Sequence, residues 1–235
     1  MIFLPGTDQQ LKFFLNTTGV ENKKLLIIGS GTVTIALELF EYRPLEIIII
    51  TEDYDSFITM RYEIEKSGNK DIKVRMMDFT NTDFRTDSFD IIYSQGSVSG
   101  PERNKIVKEI KKILKTGGTY CAGEIIKLKE DPPLFVKDIW QSSDLLPMPD
   151  KDIENYYKEK GFEIIDRKDL SYTLKDFYKR SEKLLTDGID QLSKEEKSYN
   201  KKLLKKISHE SNVYLRLGGS ESMGFKVLIM RKLQS

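Results

Sequence analysis

The chain has 235 residues, of which 39% are hydrophobic and 32% charged, and its formal net charge is +1. This composition suits one large domain with a buried core, and the near-neutral charge excludes a chain-wide basic surface for nucleic acid or lipid. The single cysteine, Cys121, excludes an internal disulfide and a cysteine-rich metal site, and the single histidine, His209, argues against a histidine-based one. We therefore expect no bound metal.

The sequence also carries no membrane or export signal that we can identify. No apolar run reaches the roughly 18 residues that a membrane span needs. The opening residues, MIFLPGTDQQLKFF, lack the basic start and the long apolar core of a secretory signal. We therefore expect a cytoplasmic protein without a membrane partner.

Short apolar runs alternate with helical patterns through the first half of the chain. Four consecutive isoleucines at 47–50 are typical of a strand that is buried on both faces. The alternation predicts right-handed crossovers and a parallel sheet. The predicted strands are 25–28, 47–50, 72–77, 89–93 and 119–126, and the predicted helices are 34–40, 56–66 and 102–115. The last of these helices is expected to stop at the glycine pair Gly117–Gly118.

The second half of the chain has a different character. Residues 129–150 hold four prolines and the only tryptophan, which favours a connection with a short helix. Asp150 is expected to cap a helix that runs through Lys160, and residues 174–210 form a long charged helical pattern. Two further strands are predicted at 162–170 and 224–233, and the final one could pair antiparallel with the sheet.

The loop after the first predicted strand, in LLIIGSGTVTIALEL (25–39), is the first candidate site. Gly29 and Gly31 allow the backbone to approach a ligand closely, and the next helix offers free N–H groups. A dinucleotide loop needs a third glycine at position 34, where this chain has Thr34. A G-x-G-x-G loop needs one at position 33, where it has Val33. The loop alone therefore leaves both cofactor classes open.

Several segments together resemble the class I S-adenosylmethionine-dependent methyltransferases. They are KLLIIGSGTVTIALEL, IIIITEDYDSFITMRYEIEKSG, IKVRMMDFTNTDFRTDSFDIIYSQGSVS, IKKILKTGGTYCAGEI, YYKEKGFEIIDRKDLS and GFKVLIMRKL. Their order and spacing carry the resemblance, since none is specific by itself. It implies an α/β Rossmann-like, doubly wound, seven-stranded sheet, mostly parallel with an antiparallel final strand, plus a helical lid. A single domain spans 1–235, with a core at about 20–126, 150–170 and 221–235 and lid segments at 127–149 and 171–220.

The resemblance also implies S-adenosylmethionine as the cofactor and assigns residues to it. Gly29, Ser30 and Gly31 would pass beneath its methionine end and ribose. A carboxylate after the second strand would accept hydrogen bonds from the ribose hydroxyls, with Glu52 favoured over Asp53. The alternative is that these two acids only begin a helix.

Two further groups of residues complete the cofactor site that the resemblance implies. Asp78 would accept a hydrogen bond from the adenine amino group, and Phe79 would pack on the adenine ring. The alternative is that Asp78 is an exposed acid in a turn and Phe79 is an aromatic residue of the core. The floor beneath the sulfonium would be formed by Ser94, Gln95 and Gly96.

The resemblance implies methyl transfer to a small-molecule acceptor by in-line displacement, which depends chiefly on alignment and exclusion of water. No side chain stands out as a catalytic base, and the lysine-rich run before His209 is more typical of a solvated helix face than of a nucleic-acid site. The oligomeric state is not predicted. A second hypothesis is a binding or partner protein with a degenerate cofactor site, suggested by Val33, by Ile27 and by Thr51, to which the family's acid aligns. A nicotinamide oxidoreductase fits less well.

Overall fold

A computed structural model describes residues 2–69, 71–189 and 201–234. Residues 190–200 of the predicted lid segment 171–220 lie outside these described residues. Across the described ranges, no helix is both long and apolar enough to cross a membrane. No cluster of three or more metal-ligating side chains occurs in the same ranges.

One sheet organises the described part of the chain. Seven of its strands lie in the order β3-β2-β1-β4-β5-β8-β7, and the short β6 pairs with β5. Strand β8 runs antiparallel to both neighbours, β5 and β7, and the other pairings are parallel. The strands are β1 (Lys24–Ile28), β2 (Glu46–Thr51), β3 (Ile72–Met76), β4 (Phe89–Gln95), β5 (Leu114–Lys127), β6 (Met148–Pro149), β7 (Phe162–Asp169) and β8 (Met223–Lys232).

This arrangement confirms the predicted fold class, including the seven-stranded path and the antiparallel closing strand. The two-residue β6 was not predicted. The helices are α1 (Thr7–Thr17), α2 (Val33–Phe40), α3 (Tyr54–Ser67), α4 (Arg103–Ile113), α5 (Leu134–Ser142), α6 (Ile153–Glu159), α7 (Thr173–Ile189) and α8 (Lys201–Arg216).

The sheet is covered on both faces. Along β2, Ile47 and Ile49 pack into one hydrophobic cluster, while Ile48 and Ile50 pack into the other. Successive side chains of a strand point to opposite faces, so only a continuous apolar run fills both layers. The isoleucine run is therefore a central strand, as its composition predicts.

The helix predicted at 102–115 ends two residues early, and the predicted stop at the glycine pair is wrong. Helix α4 ends at Ile113, and the chain is already extended at Leu114, which pairs with Phe89 of β4. Gly117–Gly118 therefore lies inside β5, where the pairing with β4 shifts register between Phe89 and Ile91. A glycine pair is equally compatible with a helix stop and with an irregular strand, and here the strand pairing decides.

The predicted role of Asp150 as a helix cap is also wrong. Helix α6 begins at Ile153, and Asp150 instead accepts a hydrogen bond at 2.7 Å from Lys226 Nζ of β8. The proline-rich connection does contain the predicted short helix, α5, whose Trp140 is buried in the core. In the described part of the predicted pattern 174–210, the chain forms α7 and the first part of α8, and residues 190–200 of the pattern lie outside that part.

Glu46 connects three strands at the start of β2. Its carboxylate lies 3.0 Å from Lys24 Nζ of β1 and 2.6 Å from Lys73 Nζ of β3. The hydrogen bond from Lys73, with Lys24 beside it, outweighs desolvation and lowers the pKa of Glu46. Glu46 therefore favours the folded state whenever it is ionised.

Replacing Glu46 by Gln is expected to lower the free energy of unfolding by about 1 kcal/mol at pH 7, the upper range for partly exposed ion pairs. A carboxylate whose pKa is lower in the folded than in the unfolded protein stabilises the fold at pH values above its unfolded-state pKa. This stabilisation is lost as the pH falls through its folded-state pKa. Urea denaturation should therefore show a gap between Glu46→Gln and the parent at pH 7 that closes below about pH 4. A gap of the same size at acid pH would contradict the assignment.

Candidate functional site

A cavity of about 440 Å³ opens at the carboxyl ends of β1, β2 and β4. Strand β2, which follows β1 in the chain, lies on one side of β1, and β4 lies on the other side. The order of strands therefore reverses at β1, and open α/β sheets bind ligands at such a switch point. Three short segments at the ends of these strands supply much of the cavity wall. They are 29–30, 51–53 and 95–97.

The turn after β1 contributes backbone rather than side chains to this cavity. Gly29 has a φ of 126°, and its N–H donates to the Ile50 carbonyl oxygen at 2.9 Å. Ser30 is exposed, lines the cavity and places its hydroxyl 2.9 Å from the Thr51 hydroxyl. Gly31 has a φ of 72° and is exposed, but it is not among the lining residues. The predicted turn is therefore present, with Gly29 and Ser30 facing the cavity.

Gly29→Ala is expected to lower the free energy of unfolding by an amount on the order of 2 kcal/mol, because an L side chain rarely adopts its φ. The added Cβ would also lie 2.9 Å from Ser97 Cβ, so the wall of the cavity must shift. The change should weaken ligand binding there as well. Gly19→Ala is the matched control, since a Cβ at Gly19 meets no atom within 4 Å. Thermal and urea unfolding of both variants measure the difference, and equal stability would contradict the strained turn.

Val33 does not obstruct the cavity. It is the first residue of α2, is 4% exposed and packs within the core. Its φ is not positive, as its β-branched side chain requires. Ile27 is likewise fully buried in the core. Two of the three departures from the family pattern therefore lie outside the cavity.

The two acids after β2 have different partners. Glu52 is exposed, lines the cavity and accepts a hydrogen bond from the Phe79 N–H at 2.8 Å. Asp53 is the N-cap of α3, where its carboxylate accepts from the Ser56 N–H at 2.6 Å. Hydrogen bonds from Ser56 lower the pKa of Asp53. Asp53 thus begins a helix, the alternative considered from the sequence, although it also borders the cavity.

Asp78 and Phe79 also differ from each other, because only one of them lines the cavity. Phe79 is 8% exposed and lines the cavity beside Glu52. Asp78 is exposed and is not a lining residue, and its carboxylate accepts at 2.7 Å from both the N–H and the hydroxyl of Thr80. Those bonds, first the one from the Thr80 side chain, lower the pKa of Asp78. The geometry makes Asp78 a turn residue that positions the Phe79 segment.

The end of β4 holds the remaining three predicted residues. Ser94 is fully buried outside the cavity, with its hydroxyl 3.0 Å from the Tyr120 hydroxyl. Gln95 lines the cavity and donates through Nε2 to the carbonyl oxygens of Pro5 at 2.7 Å and Thr7 at 2.8 Å. Gly96 lines the cavity with a φ of 83°. Gln95 therefore fastens the N-terminal segment over the site.

The sequence did not reveal several residues of the cavity wall. Leu4 and Pro5 reach it from the N-terminus, and Ser97 donates its hydroxyl hydrogen to the Ile28 carbonyl oxygen at 2.7 Å. The lid helices contribute Phe177 and Glu210. Only Thr51 had a signal, because it occupies the position to which the family's acid aligns. The other five meet the cavity through contacts between distant parts of the chain.

The remaining candidates from the sequence lie away from the cavity. Cys121 is fully buried, and burial raises the pKa of its thiol to about 12, so it behaves as a small hydrophobic residue. His209 is exposed on α8 and is not among the residues that line the cavity. Trp140 and its neighbour Phe135 pack against the core, which fits an anchor for the proline-rich connection rather than a wall of the site.

A family comparison agrees with this fold and site. Residues 26–122 match the model of a family described as a methyltransferase domain, and this range contains the glycine turn, Glu52, Phe79 and Gln95. Over this segment, which is less than half of the chain, the sequence is similar to methyltransferase domains.

Among proteins similar in sequence is a sterol 24-C-methyltransferase from Pneumocystis carinii, which is 28% identical over 160 residues. The alignment covers 64% of this chain and 42% of that relative, so the chain spans less than half the length of this curated relative.

Two solved structures share the fold over nearly the whole chain. The [4+2]-cyclase SpnF has a TM-score of 0.80 at 20% identity, with 97% of this chain and 82% of that chain covered. The phosphoethanolamine N-methyltransferase 2 of Haemonchus contortus has a TM-score of 0.80 at 15% identity, with 97% and 53% covered, and contains S-adenosylhomocysteine. At these identities the likeness concerns the fold.

Proposed function

We propose that the chain is an S-adenosylmethionine-dependent methyltransferase that transfers a methyl group to a small-molecule acceptor. The observation that carries the proposal is the cavity at the switch point of the sheet, where Gly29, Glu52 and Phe79 meet. The similarity of residues 26–122 to the methyltransferase-domain family supports the same reaction. A small-molecule acceptor fits the related sterol and phosphoethanolamine methyltransferases and the lack of a chain-wide basic excess.

The residues of the cavity fit the cofactor. About 440 Å³ lies within the range of small-molecule sites. The backbone at Gly29 and Ser30 would hold the methionine end, and the Glu52 carboxylate would accept from the ribose hydroxyls. Glu52 already accepts one hydrogen bond from the Phe79 N–H, and an ionised carboxylate has about four acceptor positions, so further bonds remain possible. Phe79 would pack on the adenine.

When bound, the cofactor would supply a methyl group on a sulfonium: a nucleophilic atom of the acceptor would bond to the methyl carbon in line, and the thioether of S-adenosylhomocysteine would leave with the electron pair of the broken C–S bond. The protein's part is to align the acceptor and exclude water. Gln95 contributes by holding Pro5 and Thr7, which keeps Leu4 and Pro5 in the cavity wall. Phe177 and Tyr178 form the part of the cavity wall that lies next to the lid helices.

A binding or partner protein with a degenerate site is the second candidate. Val33 and Ile27 suggested it from the sequence, yet both side chains pack in the core away from the cavity. Thr51 remains as the one departure that lines the cavity. The neighbouring Glu52 supplies the carboxylate that Thr51 lacks, which favours the enzyme.

Calorimetric titration of the full chain with S-adenosylmethionine and S-adenosylhomocysteine tests the proposal. We expect dissociation constants of about 1 μM to 1 mM, the range of common enzyme–substrate affinities. A thermal shift with either compound provides an independent measurement. No heat and no thermal shift would overturn the proposal and favour the second candidate.

A cytoplasmic location is part of this proposal. It is compatible with the finding that no helix in the described ranges could cross a membrane.

A further inference from the structure

A second cavity, of about 390 Å³, lies between the two lid helices α7 and α8. Its volume falls within the range of small-molecule sites. Most of its described wall is apolar, and the apolar side chains are Phe3, Phe177, Leu184, Leu185, Leu204 and Ile207. Such a wall stabilises a hydrocarbon group, because removing apolar surface from water is favourable roughly in proportion to its area.

The polar side chains deep in this wall offer little to a ligand. The Ser181 hydroxyl donates to the Phe177 carbonyl oxygen at 3.0 Å, and the Tyr178 hydroxyl donates to Met223 Sδ at 3.4 Å. The Ser211 hydroxyl has no hydrogen-bond partner among the described residues, but the residue is fully buried and presents no accessible polar surface. A ligand in this cavity therefore meets mainly hydrocarbon.

The α7–α8 cavity adjoins the cavity at the glycine turn, because Phe177, Tyr178 and Glu210 line both of them. Glu210 lies at this junction, where its carboxylate accepts a hydrogen bond from the Ser143 hydroxyl. A cofactor at the glycine turn would occupy much of the 440 Å³ there, so an acceptor needs further space beside it. The α7–α8 cavity supplies that space.

The N-terminal segment also joins the two cavities. Phe3 lines the α7–α8 cavity, whereas its neighbours Leu4 and Pro5 line the cavity at the glycine turn. The ring centroid of Phe3 lies 5.4 Å from that of Phe177, and Gln95 Nε2 donates to the Pro5 carbonyl oxygen at 2.7 Å. One segment therefore forms an edge of both cavities, which is expected if they are two parts of one site.

We propose that the methyl acceptor is an apolar molecule whose hydrocarbon body fills the α7–α8 cavity and whose reacting atom lies at the junction with the cavity at the glycine turn. This inference rests on the proposed function, since it assigns the acceptor class of that same site. It excludes acceptors that are hydrophilic throughout, such as sugars and free amino acids, because their polar groups would lose hydration without gaining hydrogen bonds.

Three cofactor analogues of matched structure test the inference on the full chain. Each has a nitrogen atom in place of the sulfur of S-adenosylhomocysteine, and this nitrogen carries a methyl group, an octyl chain or an ethoxyethoxyethyl chain of the same length as octyl. In calorimetric titrations the octyl analogue is expected to bind at least about tenfold more tightly than the methyl analogue, since each buried methylene contributes about fourfold. The ether chain should give little of this gain, because its oxygens would be buried without partners.

Two variants assign the gain to the α7–α8 cavity. Gly188→Leu should reduce it by narrowing the cavity, and this variant is expected to fold because a Cβ at Gly188 meets no described atom within 4 Å and leucine favours a helix over glycine. Ile207→Ser should reduce the gain by removing apolar wall. Ile58→Ser is the matched control, since Ile58 is exposed on α3 and lines neither cavity. The methyl analogue should bind all three variants alike, and thermal unfolding reports whether each is folded.

The outcomes separate the inference from the function on which it rests. If neither S-adenosylhomocysteine nor any analogue binds, the proposed function fails, and the inference falls with it. If S-adenosylhomocysteine binds but the octyl chain gives no gain over methyl, the function stands and the inference is overturned. Equal gains from the octyl and ether chains also overturn it, as does a gain that persists undiminished in both Gly188→Leu and Ile207→Ser.

Discussion

Replacing Glu124 by Leu is expected to lower the free energy of unfolding by about 3–5 kcal/mol, the cost of removing one partner from a buried ion pair. Glu124 is fully buried on β5 and accepts a hydrogen bond at 2.9 Å from Arg103 Nε of α4. The Tyr157 hydroxyl also donates to it, and the Ser99 hydroxyl lies 3.3 Å away. The variant would leave a guanidinium that is 6% exposed without its carboxylate.

A double variant separates the lost ion pair from the lost packing. Arg103→Met combined with Glu124→Leu removes both charges, so no uncompensated charge remains buried and part of the stability should return. Urea denaturation of the parent, the single variant and the double variant measures this recovery. A loss below about 1 kcal/mol in Glu124→Leu, the level of an exposed pair, would show that the pair is not effectively buried.

The positions of most strands along the chain could be predicted because each strand carries its own signal. The isoleucines of β2 and the apolar run of β1 are buried on both faces, and local composition alone indicates that. The boundary between α4 and β5 could not be predicted, since Leu114 becomes extended only by pairing with Phe89, about 25 residues before it. The Glu124 ion pair could not be predicted either, because its partners lie on α4 and α6.

The residues that border the cavity were predictable to the level of segments and not of side chains. Gly29, Glu52 and Phe79 follow their strands where the pattern places them, and all three border the cavity. Ser94 lies one residue from Gln95, yet alternation along β4 turns its side chain to the opposite face of the sheet. A resemblance between sequences identifies the segment. The alternation of side chains along the strand then decides which of two neighbouring residues faces the cavity.

The contacts of the N-terminal segment with the rest of the chain could not be predicted from the sequence. Phe3 packs against Phe177 at 5.4 Å between ring centroids, and Gln95 holds the backbone at Pro5 and Thr7. No periodicity links a residue near the N-terminus to a helix that begins at Thr173. The spacing of apolar residues along α7, such as Leu174, Phe177 and Leu184, does indicate an inner face, but it does not show what packs against that face.

Glu52→Gln is expected to weaken the binding of S-adenosylhomocysteine about tenfold to a hundredfold, since charge-assisted hydrogen bonds are roughly twice as strong as neutral ones. The substitution tests charge alone, because the amide oxygen of glutamine can still accept from the Phe79 N–H. Glu52→Ala removes that bond as well, so it should weaken binding further and loosen the contact between the ends of β2 and β3. Calorimetry supplies the affinities, and thermal unfolding reports whether each variant remains folded.

Asp55→Asn is the matched control for Glu52→Gln, because Asp55 is exposed in the first turn of α3 and does not line the cavity. Its affinity for S-adenosylhomocysteine should equal that of the parent. Asp78→Asn should have a smaller effect than Glu52→Gln, because its carboxylate is committed to Thr80 and an asparagine oxygen can keep those bonds. If Asp78→Asn has the larger effect, the adenine contact implied by the family resemblance dominates binding. Normal affinity in both Glu52→Gln and Asp78→Asn would remove both carboxylates from the site and leave the backbone at Gly29 and the ring of Phe79 to hold the cofactor.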